Sequence, residues 1–403
     1  MYDRDDDDDD LLRDVGKKCL FKLQPRIVDL RSDTISKPSA SMKRAMVEAE
    51  LGDDAYREDP TVIALENKAA KLTGKEAAIF VTSGTMGNLI AVMNHCEARG
   101  CEAYCGESSH MARYEQAAAA QIASVQLCGL ANDPRDGSFD LGQLERRWLR
   151  PRDCGVDEPR SRLVCVENTM RGRLVPQAWI ARLAELARRR GDLRLHLDGA
   201  RLWNAAVASG RPLDELCRDF DSVTFCLSKG LGCPVGALLC GSREFVERAR
   251  RRRKALGGAW RQAGVLAAAG LVALREIVPL LKDDHARARR IAEAIDARGS
   301  RLFSVDLAGC QTNWVLVKID SDHVTPELFV ARLGMIREGT TGDDETIVKA
   351  SIVSEDTVRL LLYYEIDDEM TAAAIQKITL VIEELDACDN DIALAKFSKL
   401  VLA

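Results

Sequence analysis

A lysine closes one of the most apolar runs in the chain. Val223, Thr224, Phe225, Cys226 and Leu227 read as a buried strand, and Ser228-Lys229-Gly230 follows at once. A lysine aimed into an interior is costly while charged, so it shifts its pKa or reacts. An amine that releases its proton is a nucleophile toward aldehydes. Asp198 ends another apolar run, within His196-Leu197-Asp198-Gly199-Ala200-Arg201. Its carboxylate serves either as a helix cap or as the partner of a protonated ring nitrogen. Earlier still, Thr82-Ser83-Gly84-Thr85-Met86-Gly87-Asn88 follows a strand and opens a helix. Small residues there let backbone N–H groups approach a phosphate, and they equally make an ordinary cap. The lysine of a Walker loop is missing.

Together these features select one chemistry. A phosphate cradle, an acid for a pyridinium nitrogen and a Schiff-base lysine are what a protein supplies to pyridoxal 5′-phosphate (PLP). The elements that must hold them alternate. Ala77–Val81, Arg162–Val166, Leu193–Leu197, Ser222–Leu227 and Val235–Leu239 read as strands, and Gly87–Glu97 and Ala178–Arg190 as helices. That order implies an α/β fold with a largely parallel sheet covered on both faces, whose ligands gather at the carboxyl ends of the strands. Beyond about residue 270 the pattern changes to a long charged helix, Pro279–Arg298, short strands at Asn313–Lys318 and Thr357–Tyr364, and a closing helix, Glu369–Ala387. This reads as a smaller α+β domain. The expected division is a disordered acidic leader (1–25), a segment joining the small domain (26–50), a large cofactor-binding domain (51–272), a small domain (273–388) and a tail (389–403). Asp153–Arg160 is expected to be a polar loop.

Composition excludes other classes. A net charge of −6 argues against general nucleic-acid binding. Ala263–Leu274, the longest weakly polar run, is too short to span a bilayer, so no membrane association is expected. The start carries six consecutive aspartates and no apolar segment of a signal peptide. Thirteen cysteines scattered through apolar runs suit a reduced, cytoplasmic protein. His95, Cys96, Cys101, Cys105 and His110 lack structural-zinc spacing, so no metal is expected and a helix end plus a strand accounts for them. The basic run Arg250–Lys254 is read mostly as a solvated helix face.

Ordered motifs add a resemblance. Leu30-Arg31-Ser32-Asp33-Thr34, Gly52-Asp53-Asp54-Ala55-Tyr56, Glu58-Asp59-Pro60-Thr61, Ser83–Asn88, Ser109-His110, Tyr114-Glu115-Gln116, Asp198–Leu202, Leu227–Gly232 and Arg261-Gln262-Ala263-Gly264 occur in one order. From about Val28 to Glu384 the chain resembles the threonine aldolase family, of the aspartate-aminotransferase-like fold type I. The resemblance implies a seven-stranded-type sheet, PLP, and cleavage of L-threonine or L-allo-threonine to glycine and acetaldehyde. It implies Lys229 as the Schiff-base residue, Asp198 on the pyridinium nitrogen, and Ser83, Gly84 and Thr85 on the phosphate. His110 stacks on the ring and moves protons. Arg201 reaches the cofactor and, with Ser32 and Arg359, the substrate carboxylate. Tyr56 and Tyr114 line the pocket. Arg261 reaches the phosphate of a neighbouring subunit, in a homodimer or homotetramer with shared sites.

Two departures stand out. Ala117-Ala118 replaces a glycine pair, so methyl groups are expected to crowd a tight approach. In Glu167-Asn168-Thr169-Met170-Arg171-Gly172, Met170 stands where the family places a histidine and the loop is shortened. Methionine carries no proton. An alanine-racemase-like enzyme of the same fold, or a PLP-binding protein without catalysis, stays open beside the aldolase.

Overall fold

The computed structural model describes residues 25–151, 155–336 and 345–387. The leader and the tail beyond residue 387 lie outside these residues, as does part of the loop expected at 153–160; Arg160 already belongs to a strand. The large sheet contains β2 (Ala77–Val81), β3 (Cys101–Gly106), β4 (Gln126–Leu130), β5 (Arg160–Glu167), β6 (Arg194–Gly199), β7 (Ser222–Cys226) and β8 (Ala237–Gly241). Its order is β2-β8-β7-β6-β5-β3-β4, and β8 alone runs against the others. Every residue of β7 and β8 is buried. A sheet covered on both faces needs continuous apolar runs, which is why these segments do not alternate. The strand expected from Val235 starts at Ala237, because Gly236 turns at φ 107° against the Phe80 ring.

Helices of eight residues or more, among the described residues, are α1 (Ala40–Val47), α2 (Pro60–Thr73), α3 (Gly84–His95), α4 (Gln177–Arg190), α5 (Leu202–Ser209), α6 (Arg243–Ala255), α7 (Gly264–Glu276), α8 (Leu281–Asp296), α9 (Pro326–Leu333) and α10 (Asp368–Ala387). Helix α3 begins three residues before the expected Gly87, because Ser83 caps it by accepting from Met86 N–H. It packs tightly on β7, since a Cβ at Gly87 would lie 2.8 Å from Thr224. The long helix expected from Pro279 is a short 3-10 turn, Val278–Leu280, followed by α8.

A second core gathers around the antiparallel order β12-β13-β10-β9, formed by Ser351–Ser354, Thr357–Leu361, Trp314–Ile319 and Phe303–Val305. Strand β1 (Arg26–Asp29) pairs with β11 (Thr346–Lys349) and adds Val28 and Leu30 to the same core. Val358 and Leu360 face that core together with Val315 and Val317. Side chains alternate along a strand, so Arg359, Leu316 and Trp314 turn to the other face, toward the large sheet. No single helix among the described residues is long and apolar enough to cross a membrane.

One buried charge sets a pH dependence. Asp284 of α8 is fully buried and neither carboxylate oxygen has a hydrogen-bond partner. Burial pushes it up to about 8. Between its unfolded pKa and pH 8 the native state therefore holds a proton that the unfolded chain has lost. Stability falls as pH rises through that window, by about 1.4 kcal/mol per pH unit. Asp284→Asn is expected to remove this slope, measured by denaturant unfolding at pH 5, 6 and 7.

Candidate active site

Five strand ends of the large sheet converge on one cleft. Ser83 follows β2, His110 follows β3, Glu167 ends β5, Asp198 lies near the end of β6, and Lys229 follows β7. The small sheet closes the other side. A cavity of about 300 Å3 between them is lined by Ser32, His110, Tyr114, Arg201, Lys229 and Arg359. Six of the sequence-derived residues are thus brought together. Glu167, Arg171 and Trp314 line the same cavity and had no assigned role in the sequence reading.

Asp198 lies beneath the cavity, 2% exposed. Its Oδ1 accepts from Ala200 N–H at 3.0 Å and its Oδ2 from Asn88 Nδ2 at 2.8 Å. Asn88 Nδ2 also donates to Glu115 Oε1 at 3.0 Å, and that oxygen faces His110 Nδ1 at 2.9 Å. The hydrogen bond to Glu115 raises the His110 pKa, against burial. Burial in turn raises Glu115. The pair keeps its proton to higher pH than a free imidazole would. Behind Asn88, its Oδ1 lies 3.1 Å from His196 Nε2. Because Asn88 spends both amide hydrogens on carboxylates, that oxygen accepts and His196 is the Nε2–H tautomer.

Arg201 and Asp33 form a fork. Arg201 Nε donates to Asp33 Oδ2 at 2.8 Å and Nη2 to Oδ1 at 2.6 Å. Asp33 is fully buried. Burial alone would push its carboxyl up, but the Arg201 charge and hydrogen bonds outweigh it and hold Asp33 low. Two of Arg201's three nitrogens are committed to this pair, which leaves Nη1 for a ligand. Trp314 has the guanidiniums of Arg201 and Arg359 each 4.9 Å from its ring centre. Arg359 Nη2 donates to Arg31 C=O at 2.7 Å, while its buried Nε has no partner. Burial, and then the nearby Arg201 charge, lower its pKa. Both effects describe a cation that lacks an anion.

Other residues lie elsewhere in the single chain. Ser83, Gly84 and Thr85 start α3 beside the cavity rather than on its lining. Tyr56 is 76% exposed and Arg261 is likewise exposed. They belong to one patch, where Asp54 N–H donates to Arg261 C=O at 3.0 Å and Arg261 Nη1 lies 3.7 Å from Asp53. Met170 is not in the cavity. It is 4% exposed and packs in the large core against Gly137, and its neighbour Arg171 reaches the lining instead. Ala117 takes φ 51° and borders a separate surface cavity, and Ala118 is buried; neither lines the cavity that holds Lys229. Cys96, Cys101 and Cys105 sit at the end of α3 and on β3, with thiols pushed up by burial.

Comparison with known proteins adds the relatives. A model described as β-eliminating lyase matches residues 29–320. The chain is 46% identical over 300 residues to "Probable low-specificity L-threonine aldolase 2" of Arabidopsis thaliana, covering 74% of this chain and 83% of that protein. It is 39% identical over 367 residues to "Low-specificity L-threonine aldolase 1" of the same plant, covering 89% and 98%. Among solved structures, a threonine aldolase of Leishmania major superposes with a TM-score of 0.70 at 17% identity, over 89% of this chain and 99% of that one.

Proposed function

The chain belongs to the threonine aldolase family of β-eliminating lyases, and on that premise we propose that it cleaves L-threonine and L-allo-threonine to glycine and acetaldehyde with PLP. The observation that carries the substrate class is the partnerless, buried Arg359 Nε beside Lys229 and His110 in one cavity. An amino-acid carboxylate supplies the anion Arg359 lacks, which sets Cα toward Lys229 and the β-hydroxyl within the cavity.

The residues present fit PLP. The N–H groups of Gly84 and Thr85 have no acceptor among the described residues and open a twelve-residue helix, as a phosphate requires. A Cβ at Gly84 would come within 2.7 Å of Cys226 Sγ, so only glycine leaves this turn its present shape. Asp198 is oriented by two donors, and Lys229 is the one lysine on the lining. Bound there, PLP supplies an electron sink for the pair left on Cα when Cα–Cβ breaks.

The chain's own groups do the rest. Ser32 Oγ accepts from Thr34 N–H and from its hydroxyl, leaving its own hydrogen to donate to a substrate oxygen. Arg359 and Arg201 Nη1 hold the carboxylate. His110, buffered by Glu115, takes the β-hydroxyl proton as the carbon–carbon bond opens. Burial, followed by the Asp198 charge, pushes Glu167 up to about 7. Glu167 also accepts His110 N–H at 2.7 Å, so it fixes that segment while holding a proton near neutral pH. A proton returned to Cα completes glycine. His110 and Glu167 are thus the proton carriers on the lining, and Met170 takes no part.

A split assay tests this reading. Acetaldehyde from L-threonine or L-allo-threonine, with no D-alanine from L-alanine, is the expected result. D-alanine without acetaldehyde sinks it in favour of a racemase. Arg359→Ala is expected to raise KM for threonine by about 30- to 150-fold, a loss of about 2–3 kcal/mol, with a smaller change in kcat. Equal falls in kcat and kcat/KM would instead make Arg359 a transition-state group.

The patch of Tyr56 and Arg261 is assigned to the cavity of a second copy, in a cytoplasmic homodimer or homotetramer. The two cores move the expected bounds: Val28 and Leu30 join the small core, but Met42 of α1 and Ile277 and Leu281 beyond residue 272 lie in the large one. Shared sites predict complementation. Lys229→Ala and Arg261→Ala, each inactive alone, should regain about a quarter of wild-type activity on mixing and reassociation. No recovery, with mixed dimers present, would place Arg261 outside the partner's site.

A further inference from the structure

Directly across the large sheet from the active site lies a cavity of about 370 Å3 that the reaction does not use. Its walls come from the amino ends of the parallel strands: Cys101 of β3, Arg160 and Arg162 of β5, and Arg194 of β6. Arg248 of α6 and His95, at the end of α3, complete it, with Asn94 and Glu97 beside them. Four guanidiniums thus face one lining carboxylate. Glu97 is itself shared between Arg248 at 3.3 Å and Arg252 at 3.2 Å. Arg194 pairs with Asp221 at 3.0 Å and Arg248 also with Glu244, both carboxylates outside the lining. No carboxylate among the described residues pairs with the side chain of Arg160 or Arg162.

This excess stands out in a chain whose net charge is −6. Like charges gathered in a concave wall repel one another, and their summed field concentrates anions there. Guanidinium forks match phosphate and carboxylate oxygens, and the volume suits a small metabolite.

The cavity is also wired to the chemistry. His95 Nε2 lies 2.8 Å from Ser222 Oγ, and Ser222 Oγ lies 2.8 Å from His196 Nδ1. His196 is the Nε2–H tautomer, so its Nδ1 accepts the Ser222 hydrogen. Ser222 Oγ then accepts from His95 Nε2–H. From His196 the chain continues through Asn88 to Asp198, Glu115 and His110. From His95 to the carboxylates of Asp198 and Glu115 every donor points toward the active site, along the roughly 18 Å length of α3, and His110 Nδ1–H closes the chain by donating to Glu115 from the other side. Burial, then the charges of Arg194 and Arg248, push His95 down to about 3. An anion seated on those arginines offsets the last two effects and changes how His95 donates.

We propose that this cavity binds a small organic polyanion, with two or more phosphate or carboxylate groups, and that occupancy reaches Asp198 and His110 through His95, Ser222, His196 and Asn88. The binding half stands whether or not the enzyme is an aldolase; only the rate readout rests on that reading.

The test is calorimetric titration of the holoenzyme with pyrophosphate and, separately, citrate, at constant ionic strength. One saturable site per chain is expected. The Arg160→Ala/Arg162→Ala double variant should weaken it about tenfold or more, with the anion-free rate unchanged. The stronger of the two probes identifies phosphate or carboxylate as the preferred group. No saturable binding, or binding indifferent to the double variant, overturns the site. For the relay, saturating probe should shift the pH profile of kcat in wild type. A profile that does not move at saturation overturns the relay. So does one that moves equally in Ser222→Ala, which keeps the arginines and cuts the chain.

Discussion

Lys229→Ala should leave a folded protein whose retro-aldol kcat is lower by about 10⁴-fold or more. The size follows from what else lines the cavity. Lys229 is the one amine there; the other basic groups are His110, Arg171, Arg201 and Arg359. A guanidinium has no free lone pair at neutral pH, and an imidazole forms no stable Schiff base. No neighbour can substitute for the lysine. Lys229→Arg should therefore fall as far as alanine, although it keeps the positive charge that Asp33, Glu167 and His110 experience. The measurement is single-turnover acetaldehyde release, with and without added methylamine. Partial rescue of the alanine variant by the amine, and none of the arginine variant, is expected. A variant retaining a tenth of wild-type activity would remove Lys229 from the chemistry.

Lys229, Asp198 and Ser83–Thr85 were legible because each closes a buried strand, and carboxyl ends of strands in this sheet share one edge. That inference needs only local pattern and chain order. The Arg201–Asp33 fork joins residues 168 apart, and Asn88 meets Asp198 across 110. No periodicity carries such pairings, although Asp33, Asn88 and His196 all lie inside motifs the sequence displays. Glu167 had a visible cue. It ends β5 as Asp198 lies near the end of β6, and the two are register partners. Trp314 had none, because its face depends on the alternation of β10 against a core assembled from both ends of the chain. Met170 shows the limit of reading by substitution. The expected histidine drew attention to its replacement, but the Met170 side chain packs into the large core against Gly137. The residue that reaches the cavity is Arg171.

Removing Asp33 is expected to damage stability and chemistry together, and the two can be separated. Asp33→Ala leaves Arg201 buried without its counter-ion, which should cost about 3–5 kcal/mol. The sign with pH is fixed by the depressed carboxyl. A folded pKa held below the unfolded value contributes stability that is complete above about pH 4 and lost as pH falls through the folded pKa. The variant should therefore be weakest relative to wild type at neutral pH, and the gap should close in acid. Arg201→Met in the Asp33→Ala background removes the unpaired charge and should recover most of the stability, measured by urea unfolding at pH 7. Activity should not return with it. Asp33 holds two of Arg201's nitrogens and receives Asn313 Nδ2 at 3.4 Å, so it positions the wall on which Trp314 and Arg359 rest. A double variant that regains both stability and kcat/KM would reduce the fork to a structural tie. One that regains stability alone makes Asp33 a positioning residue for the carboxylate site.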